Sequence, residues 1–354
     1  MGQRALSVAL ALQHSQLRIE RRRQALLGVL LLACLLSLLL DGITGPSALT
    51  LREWWQTLWQ PGQADPIART IVWDIRLPAA LLAVLTGVAL GVAGAEMQTI
   101  LDNPLADAFT LGLAPAAACG AALAMVLGVS LPGLATVWLV PGNAFLFAMG
   151  TALLLDQQAR RPGTDRQAVL LFGIALVFAF NALLSLVQFL ASAEDLQGLV
   201  FWIMGGFGHA SWTAVAVLAG ALLLVLPWWW RARWMMTAFR LGEARARGLG
   251  VPVQRVRRQA LLRVSLLAAL AVAFTGTIGF IGLMAPPLAQ RMVGDDQRYA
   301  IPASGLIGGV LLSLAALLSK NLMPGVMIPV GIITALLGVP AFLWLVLRRT
   351  GGVA

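Results

Sequence analysis

The sequence predicts an all-α integral membrane protein of about ten transmembrane helices, with both termini in the cytoplasm. Three observations predict it. Of 354 residues, 59% are hydrophobic and only 11% charged, with a mean hydropathy of +0.85, whereas soluble domains carry about a quarter charged residues. The apolar residues gather in runs of about 20, the length that crosses roughly 30 Å of hydrocarbon as a helix. The arginines fall almost wholly between alternate runs.

The runs are 25–45, 77–98, 109–128, 134–155, 168–191, 212–230, 260–282, 299–319 and 329–347. A shorter piece at 283–293 reads as a tenth crossing or a re-entrant half-span. Cytoplasmic loops collect Arg and Lys, so Arg18, Arg21, Arg22 and Arg23 place the start of the chain inside. Alternation then puts Arg160, Arg161 and Arg166, the group from Arg231 to Arg258, and finally Arg348 and Arg349 on the same side. Of 25 basic residues only Arg52, Arg69, Arg76 and Lys320 fall outside, which requires an even number of crossings and counts 283–293 among them. The basic RIERRR at 18–23 precedes an apolar run with no small-residue cleavage site, so that run reads as a retained first helix rather than a signal peptide. Trp54, Trp55 and Trp59 outside, and Trp228 to Trp230 inside, mark the two interfaces.

The net charge of +10 follows from these loops and argues against nucleic-acid binding, which needs the basic residues on one soluble face. Cys34 and Cys119 lie inside apolar runs and His14 and His209 stand far apart, so neither a disulfide nor a metal site is expected. No GxxxxGKS/T phosphate loop, Ser-His-Asp set or HExxH occurs, so no ATP hydrolysis or covalent catalysis is expected of this chain. Glu96 and Asp102 read as lying near an inner boundary and Asp41 near an outer one. An ion-coupled carrier would place carboxylates at mid-membrane depth. Two local features point to function. Gly87, Gly91 and Gly94 share a helical face and permit close packing. The stretch 94–112 interrupts an apolar run with Gln98, Asn103 and Pro104, and such a break is tolerated only within protein or along a wet cavity.

From about residue 70 to 349 the chain resembles the membrane permeases of ABC importers for iron-siderophores, haem and cobalamin. The resemblance is carried by IRLPAALLAVLTGVALGVAGAEMQ (75–98), NPLADAFTLG (103–112), FWIMGGFGHASW (201–212), LGEARARGLGVPV (241–253), GTIGFIGLMAP (276–286) and PVGIITALLGVPAFLWLV (329–346), in family order. It implies a bacterial inner-membrane protein with a cytoplasmic segment 1–24, one ten-helix permease domain 25–349 and a tail 350–354. It also implies the partners: a second permease protomer, two ATP-binding subunits that hold ATP and magnesium, and a periplasmic substrate-binding protein. No cofactor is expected on this chain itself.

Site residues follow from the same resemblance. The loop at about 235–258 matches the coupling loop that docks on the ATPase, with Leu241, Gly242, Glu243, Ala244, Arg245, Arg247, Gly248, Leu249, Gly250 and Val251 as its core. Gly248 and Gly250 are expected to make its turn, Glu243, Arg245 and Arg247 its charged contacts, and Arg255, Arg257 and Arg258 are expected to be topogenic. Arg76 and Lys320 match cations that meet acidic residues of the binding protein. Asn103, Pro104 and Leu105 match an inner gate, and Gly94, Gln98, Asn181 and Ser185 are expected along the path.

The chain departs from the family pattern at three places. MAPPLAQR (284–291) stands where PHxxR is usual, Ala316 replaces an Asp, and Met327 replaces a Glu. One permease half of hydroxamate-siderophore importers shares the apolar-proline run, so a heterodimer moving an iron(III)-siderophore is the leading expectation. MGGFG at 204–208 resembles cobalamin permeases, which keeps cobalamin or haem as the alternative cargo. Readings of another class are an ion-coupled secondary carrier and a structural membrane subunit.

Overall fold

A computed structural model describes residues 2–47, 49–129, 138–161, 166–323 and 326–350. The start of the expected run 134–155 and the tail 351–354 lie outside the described residues. The helices are α1 (Gly2–Ile43), α2 (Leu51–Trp59), α3 (Pro66–Arg69), α4 (Leu77–Leu101), α5 (Leu113–Leu127), α6 (Leu139–Ala159) and α7 (Arg166–Leu190). They continue as α8 (Ala193–Ile203), α9 (Trp212–Phe239), α10 (Glu243–Gly248), α11 (Val253–Thr275), α12 (Ile281–Val293), α13 (Gln297–Asn321) and α14 (Val330–Thr350). A π-helical turn, Thr70–Arg76, joins α3 to α4 without a break. Among the described residues, seven helical stretches are long and apolar enough to cross a membrane, within α1, α3–α4, α6, α7, α9, α11 and α13. Two shorter apolar helical stretches, Leu113–Leu127 and Val330–Leu343, and the 13-residue α12 bring the segments to ten.

All ten are helical because backbone N–H and C=O groups find no water in hydrocarbon and must bond within their own segment. The bundle is organised about α4, which packs against α1, α9, α11, α12 and α13 and is buried over most of its length. Its glycine face makes this possible. A Cβ at Gly87 would run into the carbonyl of Gly308, one at Gly91 into that of Ser304, and one at Gly94 into that of Gly282. The helix therefore touches α13 and α12 backbone to backbone, the close approach that small residues allow.

Where helices break inside the bundle, the freed backbone groups bond one another. Gly206 N–H donates to Thr275 O at 2.8 Å, Val330 N–H to Gly205 O at 3.0 Å and Gly331 N–H to Met204 O at 3.0 Å. Three interrupted segments thus close a shared junction. The break expected at 282/283 falls instead at 276–280, because Gly276 (φ 70°) and Phe280 (φ 68°) leave the right-handed region there. The stretch 192–211, between the expected spans 168–191 and 212–230, contains α8, started by Ser192 accepting from the Asp195 N–H.

The packing makes Gly91→Ala an informative substitution. Forced into the Ser304 carbonyl, the added methyl should destabilise by about 1–3 kcal/mol and lower the thermal midpoint in detergent. Gly28→Ala, which meets open space, should leave it unchanged. Equal midpoints for both would show that α4 and α13 are not in backbone contact.

Candidate functional site

The segment expected to be the coupling loop contains the short helix α10 between α9 and α11. Helix α10 is held from behind by fully buried Ala246, while Ala244, Arg245, Arg247 and Gly248 face outward. Leu241 and Leu249 flank it, 53% and 66% exposed. Val251 is half-buried. The turns into and out of α10 are made by Gly242 (φ 95°) and Gly250 (φ 80°), a conformation that costs glycine little. Gly248, expected to share in that turn, remains helical.

Two charges expected to be free are committed internally. Glu243 accepts from Arg247 at 2.8 Å and lies 3.1 Å from Arg257, so it organises the segment rather than pointing at a partner. Arg257 is buried, and its ion pair fastens α10 to α11, a role beyond topology.

The turn after α4 begins at Asp102, which takes a left-handed conformation (φ 49°). Asn103 is half-buried with Oδ1 accepting from the Leu105 N–H at 2.9 Å, and Pro104 and Leu105 project outward. Asp107 and Thr110 lock the turn: Thr110 N–H donates to Asp107 Oδ1 at 2.8 Å and Thr110 Oγ1 accepts from the Asp107 N–H at 3.0 Å. Burial pushes the Asp107 carboxyl up to about 6, against the hydrogen bonds that favour its ionised form. Gly94 and Gln98 do not line an open path here. Gly94 is pressed on Gly282, and Gln98 Nε2 donates to the Gly282 carbonyl at 3.1 Å, tying α4 to the start of α12.

Above that turn lies a group the sequence reading missed. Arg263 on α11 donates from Nε to both oxygens of Glu96 at 3.0 Å, and from Nη2 to Oε2 at 2.7 Å. Both side chains are sealed in the bundle, at 0% and 1% exposure. Glu96 is thus matched in place by a cation, unlike the free carboxylates of an ion-coupled carrier.

On the outer face, Arg76 and Lys320 are turned inward. Arg76 donates to the carbonyls of Ile43 and Ser47 at 2.6 and 2.9 Å and to Ser47 Oγ at 2.7 Å. Lys320 Nζ lies 2.7 Å from Asp41 Oδ1, at 8% and 0% exposure. In this structure neither cation, expected to meet a binding protein, points outward: both brace the outer end of α1. Asn181 and Ser185 stand together on an exposed face of α7, next to Phe178, Leu186 and Phe189.

Residues 29–348 match the FecCD transport family, and the chain belongs to it. The chain is 34% identical over 339 residues to the vitamin B12 import system permease protein BtuC of Pectobacterium atrosepticum, covering 96% of this chain and 97% of that one. It is 34% identical to the hemin transport system permease protein HmuU of Yersinia pestis, covering 92% and 96%. A solved inward-facing conformation of a metal-chelate type ABC transporter superposes with a TM-score of 0.79 at 28% identity, covering 92% of this chain and 99% of that one. The chain is accordingly an ABC importer permease of this type.

Two outcomes follow. Lys320→Ala leaves Asp41 buried without its cation and should cost about 3–5 kcal/mol, read as a lowered thermal midpoint. Asp41→Leu with Lys320→Met should recover most of it, and a harmless single substitution would show the pair to be open to water. For Asp107, the raised folded value means stability falls as pH climbs from the ordinary 3.8 to about 6. Asp107→Asn should flatten that part of the midpoint-against-pH curve, and an unchanged slope would contradict the burial.

Proposed function

We propose that this chain forms half of the membrane pathway of an ATP-driven importer that carries an intact iron(III)-siderophore inward. The observation that carries the cargo reading is the exposed face of α7. It presents Asn181, Ser185 and the half-buried Gln188 at helical spacing, and no charged residue occurs from 167 to 190. A bare cation would need carboxylates or other strong ligands. A metal already wrapped in an organic chelate needs only a wide, weakly polar surface. The solved relative, a metal-chelate type transporter, supports the same class.

Partner subunits supply the energy in this reading. The ATP-binding subunits dock on α10 with Leu241 and Leu249 as apolar anchors and Arg245 as a charged contact. A binding protein delivers the chelate from outside, and Asn103, Pro104 and Leu105 close the inner mouth until ATP turnover moves them. The apolar-proline run at 284–288 supports pairing with a different permease chain. Cobalamin or haem is the second reading, favoured by the names of the two relatives given above.

Affinity purification from native membranes tests the assembly. Co-purification of an ATPase and a second permease is expected, and recovery of this chain alone would contradict the importer. Screening the companion binding protein then separates ferric siderophores from cobalamin and haem. Leu249→Glu should reduce ATPase recovery about tenfold or more, since charge in a buried apolar anchor site costs more than 1.4 kcal/mol. Arg255→Glu, away from α10, should not.

A further inference from the structure

The Glu96–Arg263 pair joins α4, which ends at the Asp102–Leu105 turn, to α11, which follows the segment around α10. Arg263 belongs to α11, the helix that follows α10, and its guanidinium carbon lies 5.3 Å from the ring of Trp228 on α9, the helix that precedes α10. Both helices flanking the coupling segment therefore converge on one side chain. Its ion-pair partner, Glu96, lies five residues before the end of α4 and seven before Asn103. Arg257, which holds Glu243 of α10, sits six residues before Arg263, about 9 Å along the same helix. Beyond Glu96, Gln98 grips the Gly282 carbonyl and Thr99 Oγ1 lies 3.3 Å from Gln297 Oε1, linking α4 to α12 and α13.

Near the pair, Ile100 of α4 and Ala260 and Val264 of α11 belong to one buried apolar cluster. Apolar surfaces slide past one another at little cost because their attraction is non-directional. A bidentate ion pair closed off from water resists separation far more, since either ion left alone carries a large desolvation penalty. A displacement of α10 and α11 can slip along these apolar contacts, but at Arg263 it must take α4 with it.

We infer that Glu96–Arg263 is a positioning pair that transmits movement of the ATPase-docked segment to the Asn103–Leu105 turn, rather than a pair that only holds the fold. This rests on the importer reading. Stability and transmission separate in one variant, because replacing a buried ion pair by apolar residues of similar size is commonly neutral for folding.

The test uses the complete importer in liposomes, measuring ATP hydrolysed and chelate accumulated in the same vesicles. Glu96→Met with Arg263→Met should keep the thermal midpoint and ATP hydrolysis, while chelate moved per ATP falls about tenfold, a usual size for a lost coupling between sites. The exchanged pair, Glu96→Arg with Arg263→Glu, should recover part of the ratio. A well-folded double-methionine complex with the wild-type ratio overturns the inference. If that variant does not fold, Arg263→Lys keeps the charge and loses the fork, and a wild-type ratio there overturns it equally. Failure of the importer reading would look different, since the unaltered complex would then show no ATP-dependent uptake.

Discussion

Backbone contact along α4 is the constraint on which the rest of the molecule depends. Gly87, Gly91 and Gly94 remove the side chains that would hold α13 and α12 away. With those helices in contact, α4 becomes a central post rather than one more lipid-facing span. Its lower end can then present the Asp102–Thr110 turn at the inner mouth, and its upper end receives the π-helical turn that carries Arg76. In hydrocarbon, apolar side chains gain little from meeting each other instead of lipid, so close approach and dispersion decide which helices associate. Larger residues at these positions would leave the same ten spans without a fixed centre.

Charge is used inside this bundle in a consistent way. Arg76, Lys320 and Arg263, within or at the ends of spans, each bond oxygen atoms of the same chain. The two outer ones fasten α1, and the inner one joins α4 to α11. Isolated ions at such depths are costly, and once paired they become rigid fastenings in an otherwise slippery interior. The exposed cations Arg245 and Arg258 lie on the cytoplasmic side, where water and partner surfaces can meet them.

The existence of nearly every span was legible in the sequence, because hydropathy reports the medium a segment must occupy. Its ends were less so. Gly276 breaks α11 earlier than the apolar run alone suggests, and the run continues through the break because its freed backbone groups are satisfied by 204–206 rather than by water. Helix α8 is short and opens on Glu194 and Asp195, which reads as a loop unless Ser192 is recognised as its cap. Within the segment 241–251, Glu243 faces Arg247 and Arg257 rather than outward, and of the two glycines expected to make the turn after α10, Gly250 makes it while Gly248 stays helical. Glu96 and Arg263 lie 167 residues apart, and no periodicity in a single sequence joins positions at that separation. The one available signal was an arginine placed within an expected span, where a buried counter-ion is the usual companion.

Lys320 has one more consequence. It is the only lysine in the chain, and its amine is shut between α1 and α13 against Asp41. Apart from a chain terminus, amine-directed reagents therefore have one target here, and they reach it only while those two helices stand apart. The protein thus carries a built-in chemical clock for that seam: the rate at which an acylating probe modifies Lys320 measures how often the outer end of α1 comes away from the bundle.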